Sequence, residues 1–446
     1  MHRIALISEH ASPLAVAGGV DAGGQNIYVA HVARQLARAG HAVDVFTRRD
    51  NPLLPAITRS SGNVRVIHVP AGPPRAMPKE SLLPFMGGFG DFVLDFFHRQ
   101  TYSYDVIHAN FFMSGMVGMK LKAALGVPLV TTFHALGKVR RLHQGEADGF
   151  PDVRFVIEEA LVRHSDRIIA ECPQDRSDLM DLYGADEARI DVIPCGFDAP
   201  EFAPVERRTA RAMLGWPEDE FAILQLGRLV PRKGIDNVIR GLATLQGEVL
   251  ERAHLYVVGG NSDVANTMAT PEIGRLTALA EQLGVADRVT FVGRRGRGVL
   301  RQFYSAADVF VTTPWYEPFG ITPVEAMACG TPVIGARVGG IQHTVADGET
   351  GLLVPPNDPV ALGHALTRLA SNPQWATQLG ENGLRRARQF YSWESIAQAL
   401  VNTYARAIPA QPLSALSQAT ARGARLTPRR IAAAASAALG ASRSVA

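Results

Sequence analysis

Short apolar runs alternate with amphipathic segments along most of the chain. Runs at 3–7, 42–47, 64–69, 105–110, 128–133, 167–172 and 190–195 predict a first series of strands. A second series is predicted at 221–227, 253–260, 289–293, 308–313, 332–336 and 351–354. Many are near-continuously apolar, as strands covered on both faces should be. The segments between them read as helices; Val29, Val32, Ala33, Leu36 and Ala37 fall on one face of the first. Repeated βα units imply parallel sheets with right-handed crossovers. The expected fold class is α/β: two doubly wound Rossmann-like domains facing a central cleft, with ligands beyond the carboxyl ends of the strands.

The stretch 196–220 carries Pro200, Pro204 and Pro217 and no long apolar run, so it reads as the interdomain linker. The expected boundaries are 1–198, 199–389, a helix at 390–407 returning to the first domain, and an Ala/Arg-rich tail at 408–446. The tail is expected to be disordered or to hold one weak helix around 431–439.

Composition narrows the class. The 446 residues are 47% hydrophobic and 20% charged, which is globular composition. The net charge of +3 leans on five tail arginines; without them it turns slightly negative. A nucleic-acid partner is therefore not expected. Cys172, Cys195 and Cys329 fit neither a zinc site nor a disulfide framework, which points to a reducing compartment. The apolar stretch near the start, Ile4 to Ile7, is too short for a signal-peptide core, and no apolar run reaches membrane-spanning length. A cytoplasmic location is expected.

Three motifs carry candidate chemistry. Gly18-Gly19-Val20-Asp21-Ala22-Gly23-Gly24-Gln25-Asn26 lies between the first strand and the first helix. Its glycines let backbone approach a phosphate or sugar, and a helix N-terminus offers free amides. Gly227-Arg228-Leu229-Val230-Pro231-Arg232-Lys233-Gly234 follows the first strand of the second series. Arg228 and Lys233 there suit a diphosphate, although basic loops are common. In Glu317-Pro318-Phe319-Gly320-Ile321-Thr322-Pro323-Val324-Glu325, the expected helix has Thr322 as N-cap, Pro323 at N1 and Glu325 at N3. Glu325 would then either complete a capping box or join Glu317 in holding a polyol diphosphate; the spacing leaves both readings open. His134 closes a strand, and a lone histidine is more often structural than catalytic. Lys79 and Arg154 read individually as surface cations. There is no Asp-x-Asp and no metal-ligand spacing, so no cofactor is expected beyond a co-substrate.

These motifs in this order resemble the GT-B retaining glycosyltransferases of family 4. The resemblance covers roughly residues 2–407 and is most specific from Glu317 to Gly351. The stretch Asp21 to Asn26 narrows it to the branch holding the inositol-phosphate and sucrose-phosphate enzymes. It implies a first domain for the acceptor and a second for a nucleotide-sugar donor, with hexosyl transfer as the activity. It also implies that Arg228 and Lys233 bind the diphosphate, Glu317 the donor sugar and Glu325 the ribose. Gly23, Gly24, Gly320 and Ile321 would line the donor, main chain near Arg294 would border the base, and the His134 carbonyl would face the reacting centre. Lys79, Arg154 and Asn26 would serve the acceptor.

Inositol-phosphate enzymes also use Tyr and Thr hydroxyls there, where this chain has Phe111 and Ala135. The acceptor is thus expected to be a sugar, a sugar phosphate or a glycolipid, and the tail arginines are expected to allow weak peripheral membrane contact. The oligomeric state is unspecified. A dinucleotide-dependent oxidoreductase lacks its GxGxxG here, and a noncatalytic nucleotide-sugar binder would not need the intact charged motifs.

Overall fold

The structure, a computed structural model, describes residues 1–15, 23–60, 62–145 and 148–409. Two sheets organise it. The first contains β1 (Arg3–Ile7), β2 (Ala42–Arg48), β3 (Ile57–Arg59), β4 (Val64–Val69), β5 (Val106–Asn110), β6 (Leu129–Thr132), β7 (Arg167–Ala170) and β8 (Ile190–Val192). The second contains β9 (Phe221–Leu226), β10 (Ala253–Val258), β11 (Val289–Gly293), β12 (Val309–Thr312), β13 (Val333–Ala336) and β14 (Gly351–Val354). The orders are β3-β4-β2-β1-β5-β6-β7-β8 and β11-β10-β9-β12-β13-β14. All pairings are parallel except β3 with β4. The parallel strand order switches direction between β1 and β5 and between β9 and β12. Ligand crevices open at such points beyond the strands' carboxyl ends.

Every strand expected from apolar runs forms. β3 was not expected because it is a half-exposed edge of three residues with no apolar run. The helix Gly24–Arg38 buries Tyr28, Val29, Val32, Ala33 and Leu36 against the first sheet.

The stretch 196–220 differs from a plain linker. It contains the helix Arg207–Leu214 and buries Phe197, Phe202, Ala210 and Trp216. Trp216 stacks on Tyr256 at 3.7 Å. The buried Arg211 guanidinium donates to the carbonyls of Ala306, Pro217, Glu218 and Glu220. Its prolines and charges hid a segment whose apolar residues are spaced too widely to form a run.

The last helix, Trp393–Ala407, crosses back to the first sheet. Tyr404 Oη lies 2.7 Å from His108 Nδ1, and Thr403 Oγ1 donates to Asp191 at 3.0 Å. No helix among the described residues is long and apolar enough to cross a membrane. The tail expectation for 410–446 lies outside the described residues.

Candidate functional site

The second sheet's switch point is flanked by the loops after β9 and β12, and backbone contacts zip them together. Trp315 N donates to Arg232 O at 2.9 Å, and Thr313 Oγ1 donates to Gly234 O at 3.1 Å. Gly234 sits at φ +65°, and a Cβ there would lie 2.0 Å from Thr313 O, so only glycine permits this approach. The zipper sets Lys233 Nζ on Glu317 Oε2, with Arg232 Nη1 at 3.6 Å. Burial pushes the Glu317 carboxyl up, but Lys233, Arg232 and Arg228 outweigh it and hold it below the usual range. Burial lowers Lys233, and Glu317 offsets this only in part. Glu317 is braced from behind, where Gly340 N donates to its carbonyl at 3.1 Å.

The next helix is Ile321–Ala328, and its N-cap is Gly320, not Thr322. Gly320 takes φ +89°, which lets the helix begin two residues before the expected N1 proline. The capping-box reading of Glu325 is therefore wrong. Its Oε1 accepts from Arg297 Nη1 and its Oε2 from Tyr304 Oη, both at 3.0 Å. Burial raises the Glu325 carboxyl, and Arg297 partly offsets this. Arg294 uses its side chain on Asp263 and its main-chain N–H on Ser262 O.

In the first domain, His134 follows β6 with φ +58°. Nδ1 lies 2.8 Å from Glu171 Oε1 and Nε2 3.0 Å from Asn110 Oδ1. Tyr28 meets the ring edge-on at 4.8 Å. Both ring nitrogens are engaged, which fixes the orientation of the imidazole. Gly23 caps the helix Gly24–Arg38, and its N–H donates to Asn26 Oδ1 at 3.0 Å. Asn26 Nδ2 donates to Ser12 O. Asn26 thus shapes its own loop with both ends of its amide.

Arg154 is not a surface cation. It is fully buried, pairs with buried Glu158 at 2.7 Å, and donates to Ala135 O at 2.5 Å. The rings of Phe111, Phe112 and Phe150 surround it at 4.7–5.0 Å. Its Nη1 has no hydrogen-bond partner. Lys79 is half-buried at the start of a 3₁₀ turn.

The two halves meet around these loops. Tyr316 stacks on His143 at 5.1 Å, Cys172 Sγ lies 3.3 Å from Pro318 O, and a Cβ on Gly24 would reach Ile321 at 3.4 Å. Gly23 and Gly24, His134, the Lys233–Glu317 pair, Gly320 and Ile321 thus lie in loops and helix N-termini at the carboxyl ends of the two sheets. A separate cavity of about 310 Å³, lined by Arg3, Asp44, Arg65 and Tyr102 among others, lies at the opposite strand ends. The sequence did not point to Glu171, Tyr304, Arg297 or Glu201. Only the Gly339-Gly340 doublet carried a visible signal for the brace behind Glu317.

Two Rossmann-like sheets bring charged loops together at their carboxyl ends, and comparison with known proteins identifies the class as sugar-transferring enzymes. Residues 22–200 match the family described as Glycosyltransferase Family 4, and residues 206–386 match Glycosyl transferases group 1. D-inositol 3-phosphate glycosyltransferase 2 of Catenulispora acidiphila is 39% identical over 91% of this chain and 95% of its own. D-inositol 3-phosphate glycosyltransferase of Actinosynnema mirum is 39% identical over 91% and 98%. The structure of sucrose-phosphate synthase from Thermosynechococcus elongatus superposes with a TM-score of 0.83 at 38% identity, covering 91% of this chain and 99% of that one. The chain belongs to glycosyltransferase family 4, with the GT-B fold.

Proposed function

We propose that this glycosyltransferase moves a hexosyl group from a UDP- or GDP-linked donor to a hydroxyl of a small phosphorylated sugar or polyol. Configuration at C1 is retained and no metal is needed. The observation that carries the reading is the Lys233–Glu317 pair at the second sheet's switch point. A cation there meets the diphosphate, while the carboxylate beside it accepts hydrogen bonds from sugar hydroxyls.

In the step, the bond from C1 to the leaving phosphate oxygen breaks and the nucleoside diphosphate keeps the electron pair. The acceptor oxygen bonds C1 on the same face, and its proton passes to the departing phosphate. Lys233 and Arg228 stabilise the charge that develops there. The left-handed turn at His134 presents its carbonyl to the reacting centre, with Glu171 and Asn110 fixing the ring. Glu325 holds the ribose, Gly23, Gly24, Gly320 and Ile321 line the donor, and main chain near Arg294 borders the base.

The relatives' names favour a phosphorylated acceptor. Lys79 and the unpartnered Nη1 of Arg154 supply charge for its phosphate. Phe111 and Ala135 remove the neutral hydroxyls of an inositol-phosphate grip but leave its charge, so the phosphorylated acceptor need not be inositol phosphate. Three buried free cysteines suit work in the cytoplasm. The five tail arginines would add about 1 kcal/mol each at an anionic membrane surface.

The test is a matrix of UDP-, GDP- and ADP-hexoses against phosphorylated and unphosphorylated acceptors, read by nucleotide release and product mass. The reading expects turnover only with phosphorylated acceptors. Activity confined to lipid-linked acceptors would replace it with glycolipid synthesis.

A further inference from the structure

Arg297 is the first residue of the helix Arg297–Ala306, whose first turn carries no acid. A cation there opposes the helix dipole, so local helix chemistry gives it no reason to be present. The reason lies across space. Nε and Nη2 donate to Glu201 at 2.9 and 2.8 Å, Nη1 donates to Glu325 Oε1 at 3.0 Å, and the guanidinium lies 4.9 Å from the Phe202 ring. All three guanidinium nitrogens are used. The two-point grip of Glu201 fixes the plane of the fork and so aims Nη1 at Glu325.

Tyr304 stands seven residues further along the same helix and gives its hydroxyl to Glu325 Oε2 at 3.0 Å. One helix therefore holds both oxygens of one buried carboxylate. An ionised carboxylate has about four acceptor positions. Arg297 and Tyr304 take one on each oxygen, which leaves one on each. Two acceptor positions side by side match the two O–H donors of a vicinal diol. The charge points the same way: two carboxylates share one guanidinium, so the cluster keeps an excess of negative charge and of acceptors. A purely structural ion pair would need only one carboxylate, whereas here the partly exposed Glu201 is added to the buried Glu325.

We propose that Arg297 is a positioning residue for the donor nucleotide, holding Glu325 with Tyr304 so that its free acceptor positions take the 2′- and 3′-hydroxyls of ribose. This rests on the reading of Glu325 as the ribose carboxylate. Glu201 belongs to the segment joining the two sheets, and three residues earlier Asp198 lies 3.5 Å from His31 and 3.6 Å from Arg34 of the helix Gly24–Arg38. The same segment thus links the ribose seat to the helix that Gly23 caps.

The test is calorimetric binding of UDP and GDP beside their 2′-deoxy counterparts, using the full chain. In the unaltered protein, loss of the 2′-hydroxyl should weaken binding about tenfold. Arg297→Gln should weaken the ribonucleotide to a similar degree and leave the deoxynucleotide nearly unchanged, so the ratio falls towards one. Arg297→Lys keeps the charge without the fork and should give an intermediate ratio, as should Glu201→Gln. These two variants also serve if Arg297→Gln does not fold. A merely structural role would weaken both nucleotides equally and keep the unaltered ratio in all three variants; that result overturns the proposal. A ratio of one in the unaltered protein would instead sink the ribose reading of Glu325, a different and separately visible failure.

Discussion

Lys233 illustrates how much one side chain can carry. Its ammonium has three donors and gives one to Glu317, and the proposed function directs the others to phosphate oxygens. Lys233→Ala should cut turnover at saturating donor by about 10²–10³-fold, read as nucleotide release; unchanged turnover would contradict its assignment. Arg154 calls for the opposite caution. Removing it strands buried Glu158, and breaking such a pair costs about 3–5 kcal/mol. Lost activity in Arg154→Ala would therefore report lost fold. Lys79→Ala is the cleaner probe: the acceptor KM should rise while the donor KM holds, and an unchanged acceptor KM would favour an uncharged acceptor. Lys233, Glu317 and Gly23 stood out in the sequence because each lies in a motif bearing glycine or proline after a predicted strand. Arg297 and Glu201 stand 96 residues apart, and nothing local marks either one. Arg154 looked like a surface cation because its aromatic cage joins the adjacent Phe111 and Phe112, distant in sequence, to Phe150 just before its own helix.

Among elements, the helix Trp393–Ala407 shows why the chain's last described segment matters. It buries Trp393, Ile396, Leu400 and Tyr404, each contributing about 1.5–3 kcal/mol. Together that is comparable with the whole stability of a typical protein. A chain ending at Ser392 should not fold, whereas one ending at Ile408 should keep its turnover in assays without membranes. Loss of activity in the chain ending at Ile408 would show that 409–446 contributes to the active fold.

The same helix meets His108, which burial pushes down to about 3. The unfolded chain takes up this proton near pH 6.5, so between pH 6.5 and 3 unfolding binds protons and stability falls as pH falls. At pH 5 the loss amounts to about 2 kcal/mol. His108→Gln should flatten the change in denaturant midpoint between pH 7.5 and 5; an equal acid loss in both proteins would refute this. Strand periodicity was legible because both sheet faces are covered. The helix within 196–220 was not, because tertiary contacts such as Arg211 with four carbonyls stabilise it.

On the scale of the whole molecule, one loop of the second half, from Tyr316 to Ile321, touches the first half at His143, Cys172 and near Gly24. Loops of both halves thus border the Lys233–Glu317 pair, where the proposed function sets cationic side chains against the donor diphosphate. No group of metal-ligating side chains occurs among the described residues. The most direct measurement is the stereochemistry of transfer in EDTA. The protein is incubated with the donor that its binding selects and a phosphorylated acceptor, and the anomeric proton of the new bond is followed by NMR. The account predicts full turnover in EDTA, one nucleoside diphosphate released per product, and the donor's anomeric configuration kept. An inverted product, or activity restored only by added Mg²⁺ or Mn²⁺, would contradict it.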